Sequence, residues 1–261
     1  EGTQRDGRAG DRTWVVDPID GTTNFAHAVP HCCSTLALLE GGEVTAGAIA
    51  NPFTDELFSA ARGEGAWFES GGERRQLSVT ANVEFVNGLF ATGFPYDRDG
   101  ADYRLVSSVW DKLCRLSRAP RRAGSAALDI AYVGAGRYDG YVVSGAKVWD
   151  IAAGIILVSE AGGHVSDLSG GPWTPDSVHQ VNVDLRTVER AFTRRDLVRK
   201  VGSNQRIFKA ALGTIPCFVG TGPNIRTGCQ LDHDIGKAEI FVNALQQAAE
   251  GNALGGNLVL T

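Results

Sequence analysis

Two aspartates, Asp17 and Asp20, follow a short apolar run and are separated by a Pro-Ile dipeptide. The run Trp14–Val16 predicts a buried strand that ends at the proline. Because proline fixes φ and Gly21 demands a turn, the two carboxylates can converge on one point, with the Ile19 carbonyl as a third oxygen. Mg²⁺ prefers such oxygen ligands, at about 2.0 to 2.1 Å, and usually keeps waters and phosphate oxygens among them. The pattern therefore indicates either a cation site or simply a turn with a capping threonine.

The four residues that follow, Gly21-Thr22-Thr23-Asn24, predict the start of a helix. The first N–H groups of a helix have no partner within it, and together with the helix dipole they favour an anion. A cation site and a phosphate site would therefore lie side by side.

Two motifs resemble those of a known family. The run Asp-Pro-Ile-Asp-Gly-Thr-Thr-Asn-Phe, residues 17–25, is similar to the first signature of the inositol monophosphatase family of Mg²⁺-dependent, lithium-sensitive phosphatases. Trp149-Asp150, followed by small residues as far as Gly154, is similar to the second signature. The resemblance implies Mg²⁺-dependent hydrolysis of a small phosphate monoester, inhibition by lithium, and a homodimer.

The same resemblance implies a set of metal ligands for two or three Mg²⁺ ions. Asp17 would bridge two ions, the Ile19 carbonyl would join the first, and Asp20 and Asp150 would complete the second. In the family a Glu-Glu pair precedes the first signature, and its first glutamate binds metal and helps to activate water. Glu1 would be either that glutamate or, as we favour, its neighbour in the pair.

The catalytic residues implied by the resemblance are Asp17 and Thr22, whose hydroxyl would orient the attacking water. The implied substrate contacts are Asp20, Gly21, Thr22, Gly124, Ser125, Ala126 and Lys147. The small residues near Gly124 have a second explanation, which is tight packing of a helix against its neighbour. Lys147 could meet a charge on the substrate or lie in solvent.

The identity of the substrate stays open at this point. Animal inositol monophosphatases carry an inositol-binding glutamate at the position of Val143, whereas many bacterial relatives share the lysine of Lys147. The alternatives are a histidinol-phosphate, fructose-bisphosphate or phosphoadenosine-phosphate phosphatase on the same metal site. A different alternative is a truncated, inactive homologue that acts as a binding partner.

The elements that would position these residues fall into two halves. Alternating apolar residues and glycine turns predict an antiparallel sheet, and helices then alternate with strands. The predicted strands are Ser34–Leu39, Val44–Ala50, Leu57–Ala60, Ala66–Phe68, Gln76–Val79, Phe85–Thr92 and Tyr138–Val143. The predicted helices are Ala101–Leu116, one beginning within 123–129, and one from Trp149 to about Ala161. This order predicts a layered α/β fold, and the resemblance specifies an αβαβα sandwich of the inositol monophosphatase and fructose-1,6-bisphosphatase type.

Composition bounds the remaining possibilities. The net charge of −5 argues against nucleic acid or an anionic membrane as the main partner, and no apolar run reaches the length of about 18 residues that a membrane span needs. Five cysteines without CxxC spacing predict reduced thiols and hence a cytoplasmic location. The chain has no methionine, which predicts a fragment or a processed product.

The resemblance covers residues 1 to 176 and again 201 to 212. We therefore predict a phosphatase domain over 1–212, with its N-terminal helices missing and an insertion at about 176–200, and an extension of unknown role over 213–261. Within that extension, Leu231–Lys237 resembles the His-Asp core of another phosphohydrolase class, but no histidine follows His233 to complete such a site.

Overall fold

The structure is a computed structural model that describes residues 12–82, 84–167 and 171–175 in full and the backbone of residues 180–183 and 257–260. All of these belong to one compact unit, which comprises Gly2–Thr193 and Gly256–Thr261. Glu1, most of the predicted insertion at 176–200 and the segment 231–237 lie outside the described residues.

A seven-stranded sheet forms the first layer of the unit. Its strands are β1 (Arg12–Asp20), β2 (Cys33–Glu40), β3 (Glu43–Asn51), β4 (Glu56–Ala61), β5 (Gly65–Ser70), β6 (Glu73–Gln76) and β12 (Asn257–Leu260). Strands β1 to β6 form an antiparallel meander in chain order, and β12 pairs parallel with β1. Short turns join the successive strands from β2 to β6, as an antiparallel order allows, whereas the connection from β1 to β2 contains a short helix.

A five-stranded sheet forms a second layer. Its strands are β7 (Leu89–Gly93), β8 (Ala119–Arg121), β9 (Gly140–Ser144), β10 (Val165–Ser166) and β11 (Gln180–Val183). The strand order is β10-β11-β9-β7-β8, with β7 parallel to both β8 and β9. Helices connect the parallel strands, as crossover connections require.

The described helices are α1 (Thr22–Ala26), α2 (Ala101–Leu116), α3 (Ala126–Gly134) and α4 (Val148–Glu160). Helices α3 and α4 pack on each other between the two sheets, and α2 covers the other face of the five-stranded sheet. Every residue of α4 from Ile151 to Val158 is buried, as expected for a helix that is apolar on all sides. No helix in the described part of the chain is both long and apolar enough to cross a membrane.

This alternation of sheet, helix pair, sheet and helix confirms the predicted layered α/β fold. The core has two parts, one on each side of the α3 and α4 layer. Phe58, Ile49 and Leu128 are central to the part against the seven-stranded sheet, and Tyr141 and Ile130 to the part against the five-stranded sheet.

The prediction that Pro18 ends the first strand was wrong. Asp17 pairs with Thr35 and Asp20 pairs with Cys33, so three steps along β1 match two along β2. The extra residue forms a bulge that passes the proline without ending the pairing, as bulges allow.

Two other strand predictions need correction. The segment Phe85–Thr92 divides into a 3₁₀ turn at Phe85–Asn87 and strand β7. The predicted strand Gln76–Val79 lies too far along the chain, since the ladder to β5 is made by β6. Every residue of β6 is exposed, so this edge strand lacks the apolar alternation that sequence patterns detect.

Candidate metal centre

Three carboxylates, those of Asp17, Asp20 and Asp150, converge where β1 ends and α4 begins. Each offers an oxygen atom, and these atoms all lie within 4.8 Å of one another. The bulge in β1 brings the first two together, and α4 supplies the third. The Thr35 hydroxyl of β2 donates to the Trp149 carbonyl at 3.0 Å, which ties the start of α4 to the strand that pairs with β1.

Asp17 is half-buried and is held by its own turn. Its Oδ1 accepts a hydrogen bond from the Ile19 amide at 3.0 Å. Burial, followed by repulsion from Asp20, raises the pKa of Asp17 to about 6. The hydrogen bond within the turn therefore orients this carboxylate, but it supplies no positive charge to balance it.

Asp20 is buried and is held by the start of α3. Its Oδ2 accepts from the Ser125 hydroxyl at 2.5 Å and from the Ala127 amide at 2.8 Å. Burial raises the pKa of Asp20, and these donors act in the opposite direction. The Ser125 oxygen also accepts from the Leu128 amide at 3.4 Å, so one side chain caps α3 and orients Asp20.

Asp150 is the third residue of α4. Its Oδ2 accepts from the Lys147 amide at 2.8 Å, in the manner of a capping box. Burial, opposed by this hydrogen bond, raises the pKa of Asp150 to about 7. Repulsion from the other two aspartates acts in the same direction as burial.

This arrangement fits a bound cation. Burial is the largest cause of the raised pKa values of all three carboxylates, and repulsion from the neighbouring aspartates adds to it at Asp17 and Asp150. A divalent cation would relieve that repulsion, and carboxylate oxygens are the donors that Mg²⁺ prefers.

The turn after Asp20 is held by contacts with His31 and Ala123. Gly21 has φ of 86°, and a Cβ there would lie 3.0 Å from the His31 carbonyl oxygen. The Asn24 side-chain amide donates to the carbonyls of His31, at 2.7 Å, and Ala123, at 2.9 Å. Thr22, the first residue of α1, is exposed.

The residues just before α3 also pack against this turn. Gly124 has φ of 97°, and a Cβ there would lie 3.0 Å from the Asn24 amide nitrogen. The tight-packing explanation therefore accounts for Gly124. Ser125 is 1% exposed and points to Asp20, whereas Ala126 is half-buried.

Lys147, the remaining predicted contact, is exposed at the N-cap of α4. Glu1 is not among the described residues.

Sequence reasoning missed three residues around the centre. The Cys33 thiol lies 3.6 Å from the Ser125 hydroxyl and 3.9 Å from Asp20 Oδ2. Beyond them, His31 Nε2 lies 3.6 Å from Asp129 Oδ1. Ser125 was predicted for its backbone and not for its hydroxyl. The contacts of Cys33, His31 and Asp129 join residues that are far apart in the chain, so no local sequence pattern predicts them.

A family model described as "Inositol monophosphatase family" matches residues 1–199. The inositol-1-monophosphatase of Mesorhizobium japonicum is 42% identical over 166 residues, which are 64% of this chain and 60% of that protein. A protein of Xylella fastidiosa named Nus factor SuhB is 46% identical over 159 residues, which are 60% of this chain and 55% of that protein. The chain thus spans less than two thirds of the length of these relatives.

A solved structure agrees with these sequence matches. The inositol monophosphatase from Anabaena (Nostoc) sp. PCC 7120 superposes with a TM-score of 0.64 at 36% identity. The match covers 76% of this chain and 74% of that one.

Proposed function

The chain belongs to the inositol monophosphatase family, and on that premise we propose that it hydrolyses a small phosphate monoester with the help of Mg²⁺. The observation that carries this proposal is the convergence of Asp17, Asp20 and Asp150 within 4.8 Å. The phosphate monoester is a dianion that reacts very slowly with water, so a catalyst must neutralise its charge and activate a nucleophile.

The carboxylates and one carbonyl would hold two or three Mg²⁺ ions. Asp17 would serve as a ligand shared by two of them, the Ile19 carbonyl would contribute to the first, and Asp20 and Asp150 would complete the second. Bound Mg²⁺ would lower the pKa of a coordinated water and neutralise charge on the phosphoryl oxygens. We infer that Glu1 is either a further ligand or the neighbour of one.

The turn after Asp20 would hold the phosphate. The amides of Gly21 and Thr22 donate to phosphoryl oxygens, and the Thr22 hydroxyl orients the attacking water. The position of Thr22 supports this role, since it is exposed two residues beyond the buried Asp20. Further contacts to the substrate would come from Asp20 and from the chain at Gly124 to Ala126.

Two residues, one within β9 and one shortly after it, bear on the leaving group. Val143 replaces an acidic inositol contact, and Lys147 is exposed and cationic. We infer a polyol or sugar phosphate as substrate, with histidinol phosphate, fructose bisphosphate or phosphoadenosine phosphate as the alternatives. A second phosphate or a carboxylate on the substrate would favour contact with Lys147.

A second candidate function is that of an inactive homologue acting as a binding partner. The name of the Xylella relative, a Nus factor, favours keeping it. An inactive homologue would bind Mg²⁺ weakly or without turnover, so the assay below separates the two.

We further propose a homodimer in the cytoplasm, inhibited by lithium. The three described cysteines, Cys32, Cys33 and Cys114, are free thiols, which supports a reducing compartment. We also retain the phosphatase domain over 1–212 and the extension over 213–261 as proposals.

The proposed function is tested by phosphate release from four compounds with and without Mg²⁺. These are inositol 1-phosphate, histidinol phosphate, fructose 1,6-bisphosphate and phosphoadenosine phosphate. The chain should be assayed beside a version extended upstream, in which a Glu-Glu pair directly precedes Gly2. Mg²⁺-dependent release by either form supports the enzyme, whereas no release by both favours the binding partner.

A further inference from the structure

A pair formed by the half-buried His31 and the buried Asp129 lies beside the candidate metal centre and has no part in the chemistry proposed above. Asp129 is 1% exposed, and its Oδ1 lies 3.6 Å from His31 Nε2. Within the described residues, neither atom has a hydrogen-bond partner of its own. Because an unpaired buried polar atom is unfavourable, each atom stabilises the buried position of the other.

The backbone of His31 supports the turn that follows Asp20. Its carbonyl accepts from the Asn24 side-chain amide at 2.7 Å, and it lies 3.0 Å from where a Gly21 Cβ would stand. The turn Gly21–Asn24 therefore rests against residue 31. The position of this turn therefore depends on how firmly residue 31 is held.

The side chain of His31, in contrast, contacts α3. Asp129 lies one helical turn after Ser125 on this helix, and its amide donates to the Ser125 carbonyl at 3.1 Å. The His31 ring also meets the Tyr132 ring edge-on, with centroids 5.8 Å apart. One helix thus holds Asp20 through Ser125 and residue 31 through Asp129.

We propose that the His31–Asp129 pair positions the turn Gly21–Asn24 relative to Asp20, and so sets the phosphate-binding amides at a fixed distance from the metal ligands. This inference rests on the proposed function, in which that turn holds the phosphate. The pair acts through the backbone of residue 31, so both members are positioning residues.

The pair should affect the affinity for phosphate but not the affinity for metal. Breaking the pair loosens the turn but leaves Asp17, Asp20 and Asp150 with all of their described hydrogen bonds. Binding of phosphate should weaken while binding of metal does not. A general loosening of the fold would weaken both.

The test uses Asp129→Asn, His31→Leu and His31→Gln in the full chain, with Tyr132→Phe as the control. The glutamine amide places a donor where Nε2 stands, whereas leucine has none. Tyr132→Phe keeps the ring contact on the same helix and removes only a hydroxyl that donates to Glu56. The readouts are inhibition of turnover by inorganic phosphate, kcat, KM, and Mn²⁺ affinity by calorimetry.

We expect Asp129→Asn and His31→Leu to raise the phosphate inhibition constant about tenfold, because either change removes the contact between Asp129 and residue 31 that holds the turn. Mn²⁺ affinity should not change, and His31→Gln should recover most of the loss. The two His31 variants carry the test if Asp129→Asn does not fold.

Unchanged phosphate inhibition in His31→Leu, in a wild-type chain that is active, would overturn the positioning role alone. A wild-type chain that binds Mn²⁺ but neither binds phosphate nor hydrolyses a monoester would overturn the proposed function, and the positioning role with it. Equal weakening of phosphate and Mn²⁺ binding would identify the pair as structural support and would also overturn the proposal.

Discussion

At the scale of single residues, the proposed metal ligand Asp20 depends on a side chain from a distant part of the chain. The Ser125 hydroxyl on Asp20 joins residues 105 positions apart. Contacts of that range depend on the packing of α3 against β2 and β3, which no local pattern encodes.

Ser125→Ala should weaken metal binding without unfolding the protein. The change removes a 2.5 Å hydrogen bond to Asp20 and leaves the Ala127 amide among the backbone donors to this carboxylate. Loss of a group that orients a metal ligand typically reduces metal affinity or activity about 10- to 100-fold. Calorimetric titration with Mn²⁺ measures this.

The matched control is Ser34→Ala. The Ser34 hydroxyl donates to the Pro18 carbonyl at 2.6 Å, close to the site but not to a metal ligand. Equal Mn²⁺ affinity in Ser125→Ala and the wild type would show that Ser125 does not orient Asp20 for metal binding.

The raised pKa values predict how pH and Mg²⁺ compete. Burial raises the pKa of Asp17 to about 6 and that of Asp150 to about 7. Both folded-state values exceed the ordinary value, so protonation stabilises the metal-free fold at low pH. That stabilisation is lost as pH rises through the folded values.

Mg²⁺ binds the ionised carboxylates, so its stabilising effect should follow the opposite trend. We expect saturating Mg²⁺ to raise the Tm strongly at about pH 8 and little at about pH 5. Differential scanning fluorimetry across this range measures the change. A Mg²⁺-induced shift in Tm that is independent of pH would contradict the assignment of these carboxylates as ligands.

At the scale of elements, prediction succeeds where a helix or strand has one clear apolar face. Helix α2 begins and ends at the predicted residues because its apolar side chains recur at helical spacing. Strand β1 was misjudged because the residue pattern at Pro18 does not distinguish a bulge from an end. Strand β6 was misplaced because an exposed edge strand pairs through its backbone.

The contact between β3 and α4 predicts a stability effect at Gly47. A Cβ at this position would lie 2.8 Å from the Cα of Ala153, which is backbone and cannot rotate away. Gly47→Ala should therefore lower the free energy of unfolding by about 1 to 3 kcal/mol. Urea denaturation of the Mg²⁺-free protein measures this.

Gly41→Asn is the matched control in the turn before β3. Nothing lies within 4 Å of a Cβ there, and asparagine tolerates its φ of 60°. If Gly47→Ala and Gly41→Asn have the same small effect, α4 does not pack as closely on β3 as described.

At the scale of the whole molecule, the order of elements was enough to predict a layered α/β fold. The antiparallel half and the alternating half each have the periodicity of their class. The pairing of β12 with β1 was not predicted, since it brings Asn257 beside Thr13 from within the predicted extension. Pairing over such a separation leaves no sequence signature, and so the extension could not be connected to the sheet beforehand.

The most direct test of the metal centre is the Mg²⁺ dependence of phosphate release in the wild type beside Asp17→Asn, Asp20→Asn and Asp150→Asn. Each change removes one negative charge from a group of mutually repelling carboxylates, so the metal-free Tm should stay the same or rise. We predict that all three variants fold and that none shows Mg²⁺-dependent turnover. A folded variant that keeps wild-type turnover at the same Mg²⁺ concentration would contradict the account, because its aspartate would then not be a metal ligand.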